Sequence, residues 1–181
     1  MLREIEQIQK NAQLLHTEAE VEAAIDSMAE KINAALATHN PIVLCVMNGG
    51  IVTAGKLITK LNFPLTLDAI NVSRYGNQVS GSKINWLQKP VSSLKDRTVL
   101  LIDDILDQGL TLEAIYQYCL EQGANHVYSA VLVDKQLTKT KPVQADFIGL
   151  SIADHYLYGY GMDYKGYLRN APGIYACGSG L

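Results

Sequence analysis

Three carboxylates, a glycine and a hydroxyl fall together between Val99 and Leu112. The apolar run Val99 to Ile102 leads into the adjacent pair Asp103 and Asp104, and Asp107, Gln108, Gly109 and Thr111 follow. An adjacent acid pair can accept hydrogen bonds from a sugar diol and can stabilise a divalent cation such as Mg²⁺, directly or through water. The backbone N–H groups of Gln108, Gly109, Leu110 and Thr111 would open a helix, where such groups lack partners and form a nest for a phosphate. Gly109 would let the backbone approach that anion closely, and Thr111 adds a hydroxyl. Two acids after a strand are, on their own, a common acidic turn of the kind phosphoacceptor domains carry. Acids, glycine and hydroxyl in this order read instead as a site for a sugar phosphate.

Four further stretches carry candidate chemistry. Asn48-Gly49-Gly50 follows the apolar run Ile42 to Met47. Two glycines there could turn backbone amides toward an anion, although a strand–Gly–Gly–helix turn is also a plain connection. Ser73 to Arg97 is long and polar, holds Gly76 and Gly81, and has Trp86 as its main apolar anchor. Such a segment reads as a lid, within which Ile84 to Leu87 could form one arm of a hairpin. Lys135 sits just past an apolar run and by itself reads as a solvated strand end. Six of the ten tyrosines lie between Tyr156 and Tyr175, which suits either packing or a stacking surface for a flat ligand.

These residues need elements to hold them. Residues 2–15 form a short amphipathic stretch. Thr17 with Glu20 makes a capping box, and Val21, Ile25, Met28, Ile32 and Leu36 follow at helical spacing until Asn40-Pro41. Ile42 to Met47 is continuously apolar, the pattern of a strand covered on both faces. Ile51 to Leu61 reads as a helix, Leu65 to Val72 as a strand and Thr98 to Ile102 as a buried strand. Leu110 to Gln122 reads as a helix closed by Gly123. Val127 to Val133 and Phe147 to Ile152 supply two more strands. Strands alternating with helices predict an α/β fold, a parallel sheet with helices on both sides. In such a sheet ligands bind beyond the carboxyl ends of the strands, which is where the acid pair falls.

Composition narrows the class. One domain suits 181 residues. Apolar residues make up 48%, which excludes general disorder. Fifteen Lys and Arg against 18 Asp and Glu leave no basic excess for a nucleic-acid partner. Cys45, Cys119 and Cys177 show no metal spacing and are odd in number, which suits a reducing compartment. No uncharged run approaches a membrane span, so the expectation is a cytoplasmic protein.

The Val99–Leu112 stretch resembles the phosphoribosyl-diphosphate (PRPP) signature of the type I phosphoribosyltransferases, most of all those that act on hypoxanthine and guanine. The resemblance covers roughly residues 40–170. It implies the type I fold, a mostly parallel central sheet flanked by helices. It also implies one domain over 1–181, with a core of about 40–150, a hood from about 1–15 and 152–181, and a mobile loop of about 73–90. The activity implied is purine salvage: transfer of the phosphoribosyl group from PRPP to N9 of a 6-oxopurine, with Mg²⁺ as cofactor and a homodimer or homotetramer as the assembly. Asp107 becomes the catalytic acid/base beside purine N7. Asp103 and Asp104 would hold the ribose hydroxyls and shape the metal site, and Gln108, Gly109, Leu110 and Thr111 would wrap the 5′-phosphate. Asn48, Gly49, Arg74 and Arg169 would meet pyrophosphate, with a non-proline cis bond at Met47–Asn48. Lys135 would donate to the purine 6-oxo group, Tyr156 would stack on the base, Leu157 would bond it through its backbone, and Asp163 would flank it while helping hold a second Mg²⁺. Two positions depart from the family pattern: Gln108 stands where threonine is usual, and Asn48 where lysine is frequent. Ser73-Arg74-Tyr75-Gly76 resembles the start of the mobile catalytic loop, with Arg74 inserted before the tyrosine.

Two other classes compete. A regulator of the same fold could bind PRPP or nucleotides without turnover, but it would not need Asp107, Lys135, Tyr156 and Asp163 together. A plain nucleotide-binding α/β domain would need neither the tyrosine-rich tail nor the long lid.

Overall fold

Two short elements open the chain where the sequence shows one amphipathic stretch. Helix α1 spans Leu2–Asn11 and strand β1 spans Gln13–Thr17. In this computed structural model, residues 1–74 and 84–178 are described. The capping box forms as expected. Thr17 Oγ1 accepts from the Glu20 N–H at 3.3 Å, and a Glu20 carboxylate oxygen accepts from the Thr17 N–H at 2.7 Å. It starts α2, Glu18–Leu36, whose five expected core residues are all fully buried. Burying an aliphatic side chain of that size stabilises a fold by about 1.5–3 kcal/mol, so this stripe fixes the helix on the sheet.

The remaining elements are β2 (Ile42–Met47), α3 (Gly50–Leu57), β3 (Thr66–Arg74), β4 (Ile84–Gln88), β5 (Thr98–Leu106), α4 (Leu110–Glu121), β6 (His126–Gln136), β7 (Phe147–Ala153), β8 (Leu157–Tyr158) and β9 (Gly173–Ala176). Six strands form the main sheet in the order β4-β3-β2-β5-β6-β7. All neighbours are parallel except β3 and β4, an antiparallel hairpin. Alternating residues of the central strands feed two cores. Val43, Cys45, Leu100 and Ile102 pack under α2 and α3. Ile42, Leu44, Val99 and Leu101 pack with Leu112, Ile115 and Cys119 of α4 on the other face. A second sheet, β1-β9-β8, is antiparallel and joins the two ends of the chain. With α1 it has its own small core of Ile5, Ile8, Tyr158, Tyr164 and Leu168.

Three differences from the sequence reading bear on the site. Strand β5 runs four residues past Ile102, because Asp103, Ile105 and Leu106 keep pairing with β6. Asp103 and Asp104 therefore lie on the strand itself and not in a turn after it. Strand β6 likewise continues to Gln136, which puts Lys135 within the sheet, opposite Ile152. The helix expected over 51–61 ends at Leu57 and gives way to a 3₁₀ turn, Ile58–Lys60. Of the expected lid, Ile84–Gln88 is the hairpin arm, while Tyr75, Gly76 and Gly81 lie outside the described residues.

Candidate active site at the carboxyl end of the sheet

A cleft of about 460 Å³ opens where β2, β5 and β6 end. Its floor is the loop between β5 and α4. Gly109 there has φ +82°, a left-handed conformation that glycine adopts without strain. Helix α4 starts directly after it with no side-chain cap, so the first N–H groups of the helix are free for an anion. Gln108, Gly109, Leu110 and Thr111 all line the cleft.

The acid pair stands beside this loop. Asp104 is 7% exposed and Asp103 half-buried, and an Asp103 oxygen accepts from the Asp104 N–H at 2.9 Å. Burial raises the Asp103 carboxyl well above its ordinary range, and the neighbouring Asp104 charge raises it further. Burial also raises Asp104, against the opposing pull of its hydrogen bonds and the Arg169 charge. The fold thus gathers negative charge that desolvation penalises. A cation in the cleft would relieve it.

The loop after β2 forms the next wall. The Met47–Asn48 peptide bond is cis, as expected. Asn48 and Gly49 line the cleft. A Cβ on Gly49 would collide with the Asp104 carboxylate, and one on Gly161 would collide with the Gly49 carbonyl. The β2 loop, the acid pair and the C-terminal segment therefore interlock with no room for a side chain. Arg169 lies along the same seam. Its guanidinium donates to the Gly161 carbonyl at 2.6 Å and pairs with Asp163 at 2.6 Å. The other Asp163 oxygen accepts from the Gly166 N–H at 2.6 Å.

Lys135 holds the opposite wall. Its ammonium lies 2.8 Å from Asp154 and 3.3 Å from Asp107, with its side chain 14% exposed. Burial alone would lower its pKa, but the hydrogen bond to Asp154 and the charge and hydrogen bond of Asp107 outweigh that and hold it above the usual lysine value. Lys135 is a fixed cation with one donor to spare. Next to it Tyr156 is 54% exposed, with its ring set edge-on to Tyr164 at 5.5 Å. Tyr158, Tyr160 and Tyr164 are buried. The tyrosine cluster thus divides: Tyr158 and Tyr164 pack the small core with α1, Tyr160 packs into the main core, and Tyr156 offers an open ring to the cleft.

The sequence matches the phosphoribosyl transferase domain family over residues 11–165. The chain belongs to the phosphoribosyltransferase family. It is similar to the hypoxanthine-guanine phosphoribosyltransferase of Streptococcus pneumoniae, 33% identical over 155 residues that cover 83% of this chain and 86% of the relative. The enzyme of the same name from Aquifex aeolicus is 29% identical over 168 residues, covering 92% and 94%. Among solved structures, a hypoxanthine-guanine phosphoribosyltransferase from Bacillus anthracis, with a HEPES molecule in its active site, is 27% identical with a TM-score of 0.85, covering 91% of this chain and 97% of that one. A hypoxanthine phosphoribosyltransferase from Staphylococcus aureus shares the fold at a TM-score of 0.87 and 24% identity, covering 93% of each chain. The mostly parallel sheet with flanking helices is the type I phosphoribosyltransferase fold.

In this phosphoribosyltransferase the cleft brings together every site residue expected from sequence except Arg74, which ends β3 and whose side chain lies outside the description. The sequence reading missed Asp154, His155 and Met162. His155 and Met162 line the cleft, and Asp154 reaches it through Lys135. Nothing in the spacing of Asp154 marks it; its role as a lysine partner exists only once β6 and the segment after β7 lie side by side. The fit to a divalent metal rests on the donor chemistry. Carboxylate oxygens of Asp103 and Asp104 are the hard ligands Mg²⁺ takes. Among the described residues no group of three or more His, Cys, Asp or Glu side chains converges, and Asp163 is already paired with Arg169. That suits an ion held by one or two carboxylates together with substrate oxygens and water.

Proposed function

We infer that this chain is a purine salvage enzyme that transfers the 5-phosphoribosyl group of PRPP to N9 of hypoxanthine or guanine, giving IMP or GMP and pyrophosphate. One observation carries the reading: the phosphate loop with its acid pair and the Lys135–Tyr156 wall face each other across one cleft, with Asp107 between them. A regulator that only bound PRPP would have no use for that pairing of an acid with a lysine.

The reaction breaks the bond from C1′ to the pyrophosphate oxygen, and that electron pair leaves with pyrophosphate. N9 supplies the new bond to C1′, and the imidazole ring gives up a proton. Residues 108–111 anchor the 5′-phosphate through N–H groups, and Asp103 and Asp104 accept from the ribose hydroxyls. Tyr156 stacks on the purine. Lys135 donates to the 6-oxo group, which favours 6-oxopurines over adenine, whose 6-amino group is itself a donor. Asp107 then faces the N7 edge and takes or returns its proton, a step worth about 10²–10⁴-fold. Asn48, Gly49 and Arg169 hold the departing pyrophosphate; the guanidinium, fixed by Asp163 and Gly161, keeps its remaining donors for that anion. Asp103 and Asp104 would hold Mg²⁺, which when bound would neutralise charge on the pyrophosphate, while Asp163 stays engaged with Arg169.

The exposed apolar residues Leu67, Leu87 and Val91 support assembly into a homodimer or homotetramer. The three free thiols support a cytoplasmic location. Among the described residues no helix is long and apolar enough to cross a membrane. The test is a spectrophotometric assay of the full chain with PRPP, Mg²⁺ and each purine in turn, repeated with EDTA. Nucleotide formation with hypoxanthine and guanine, absent with adenine and abolished by EDTA, is the expected result. No turnover with any 6-oxopurine would overturn the reading.

A further inference from the structure

The phosphate loop is braced from outside the cleft by a segment the reaction does not touch. Between β6 and β7 the chain leaves the sheet and passes under Gly109. Pro142 Cδ, Lys141 Cβ and Val143 Cγ1 lie 3.2, 3.4 and 3.4 Å from where a Gly109 Cβ would stand. From this segment the Lys141 side chain runs inward, 13% exposed, and its ammonium makes two contacts at 2.6 Å. One is to a carboxylate oxygen of Asp134. The other is to the carbonyl oxygen of Leu106, the residue before Asp107. The second Asp134 oxygen accepts from the Gln136 side-chain amide at 2.9 Å, so that carboxylate is held at both ends. Leu106 and Asp134 are themselves register partners at the ends of β5 and β6. The ammonium therefore clamps two adjacent strands at the point where β5 hands over to the loop.

We propose that Lys141 is a positioning residue for the phosphate loop, setting the plane of the Leu106–Asp107 peptide and thereby the aim of Asp107 and of the N–H groups that follow. The physical basis is a charge-assisted hydrogen bond to a carbonyl, stronger and more directional than a neutral one, made by an ammonium whose own position Asp134 fixes. A loop whose anion donors are backbone N–H groups, and whose helix starts without a side-chain cap, takes its geometry from what holds its backbone, and Lys141 grips that backbone directly. The proposal rests on the phosphoribosyl-transfer reading of the same cleft.

The test uses Lys141→Met, which keeps the aliphatic stem and removes the ammonium, and Lys141→Arg, which restores a cation of similar reach. Two readouts are taken well below the melting transition. The first is steady-state kinetics: Lys141→Met raises the KM for PRPP about tenfold and lowers kcat, leaves the KM for hypoxanthine within twofold, and Lys141→Arg recovers most of the loss. The second needs no turnover. Amide hydrogen exchange where the loop hands over to α4, read at residues 113–116, whose N–H groups are the first to bond back to the carbonyls of residues 109–112, is at least tenfold faster in Lys141→Met than in the native chain, while β2 and α2 are unchanged. Should Lys141→Met fail to fold, Asp134→Asn carries the same comparison by releasing the ammonium from its partner. Unchanged exchange at residues 113–116, or equal losses toward both substrates without rescue by arginine, would overturn the proposal. A native chain that turns over no purine would sink the functional reading alone, since the exchange measurement still decides the brace.

Discussion

Between Asp103 and Thr111 the chain delivers an acid pair, a turn and a helix start in one contiguous stretch, whereas the facing wall draws Lys135 from β6, Asp154 from beyond β7, Tyr156 from the entry to β8 and Arg169 from the loop before β9. The first region is local. The anion site proposed for it consists of backbone N–H groups whose direction follows from one positive φ and one helix start. The second is assembled from ion pairs between distant segments: Lys135 with Asp154 and Asp107, and Arg169 with Asp163. The backbone donors of the contiguous region should tolerate side-chain changes that spare the backbone, so that its sensitivity concentrates in the carboxylates, Asp107 above all. The dispersed region should fail residue by residue, with losses specific to the substrate each residue meets.

That contrast can be broken in four places. The largest effect should come from Asp107→Asn, which keeps the shape of the loop and removes the proton acceptor. A fall in kcat of about 10²–10⁴-fold is expected, with the KM for PRPP within threefold; comparable losses in both would make Asp107 a structural residue. Next, Lys135→Ala should weaken hypoxanthine binding by about 10–100-fold, the scale of a hydrogen bond to a charged donor, and leave PRPP binding little changed. Hypoxanthine affinity at the native level in calorimetry would place the base elsewhere. Third, Gly161→Ala tests the seam between the regions. Its φ of +106° and the approach of the Gly49 carbonyl leave no space for a methyl group, so a loss of about 1–3 kcal/mol in urea unfolding is expected. A neutral result would show that the seam yields.

The smallest effect concerns how α2 holds α3 and the C-terminal segment. Glu22 on α2 pairs with Lys56 and accepts from the Tyr160 hydroxyl at 2.8 Å. The Lys56 hydrogen bond holds the Glu22 carboxyl below its ordinary value of 4.5, burial opposes this, and the Tyr160 bond adds to it. A carboxylate whose pKa is lower in the folded state stabilises the fold above its unfolded value and loses that contribution as pH falls through the folded one. Glu22→Gln should therefore melt below the native chain at pH 7, with the gap closing toward pH 3. A gap that stays constant would mean that the charge contributes nothing.

How much of this was legible follows the same division. The β5–α4 stretch could be read residue by residue because its chemistry and its geometry share one run of sequence. Even so, the acids fall on the strand and not after it, since continued pairing with β6 overrides their turn propensity. Lys135 was visible as a candidate, but its fixed charge was not, because that depends on two carboxylates from other segments. Composition and spacing alone did not separate Tyr156 from the buried tyrosines around it, as all share one aromatic-rich run; the family resemblance picked it out, and its exposure follows from packing. Lys141 gave no signal at all; its partner is a backbone carbonyl 35 residues away.

By itself the sequence determined the periodicities that make β2, α2 and α4, the glycine that permits a left-handed turn before a helix, and the acids beside it, all of them properties of neighbours along the chain. Only the tertiary structure decided that Lys135 keeps a half-buried, paired charge, which tyrosines are buried and which glycines must stay bare. Burial, desolvation and close approach are set by residues that meet in space from distant parts of the chain, and no local pattern encodes them.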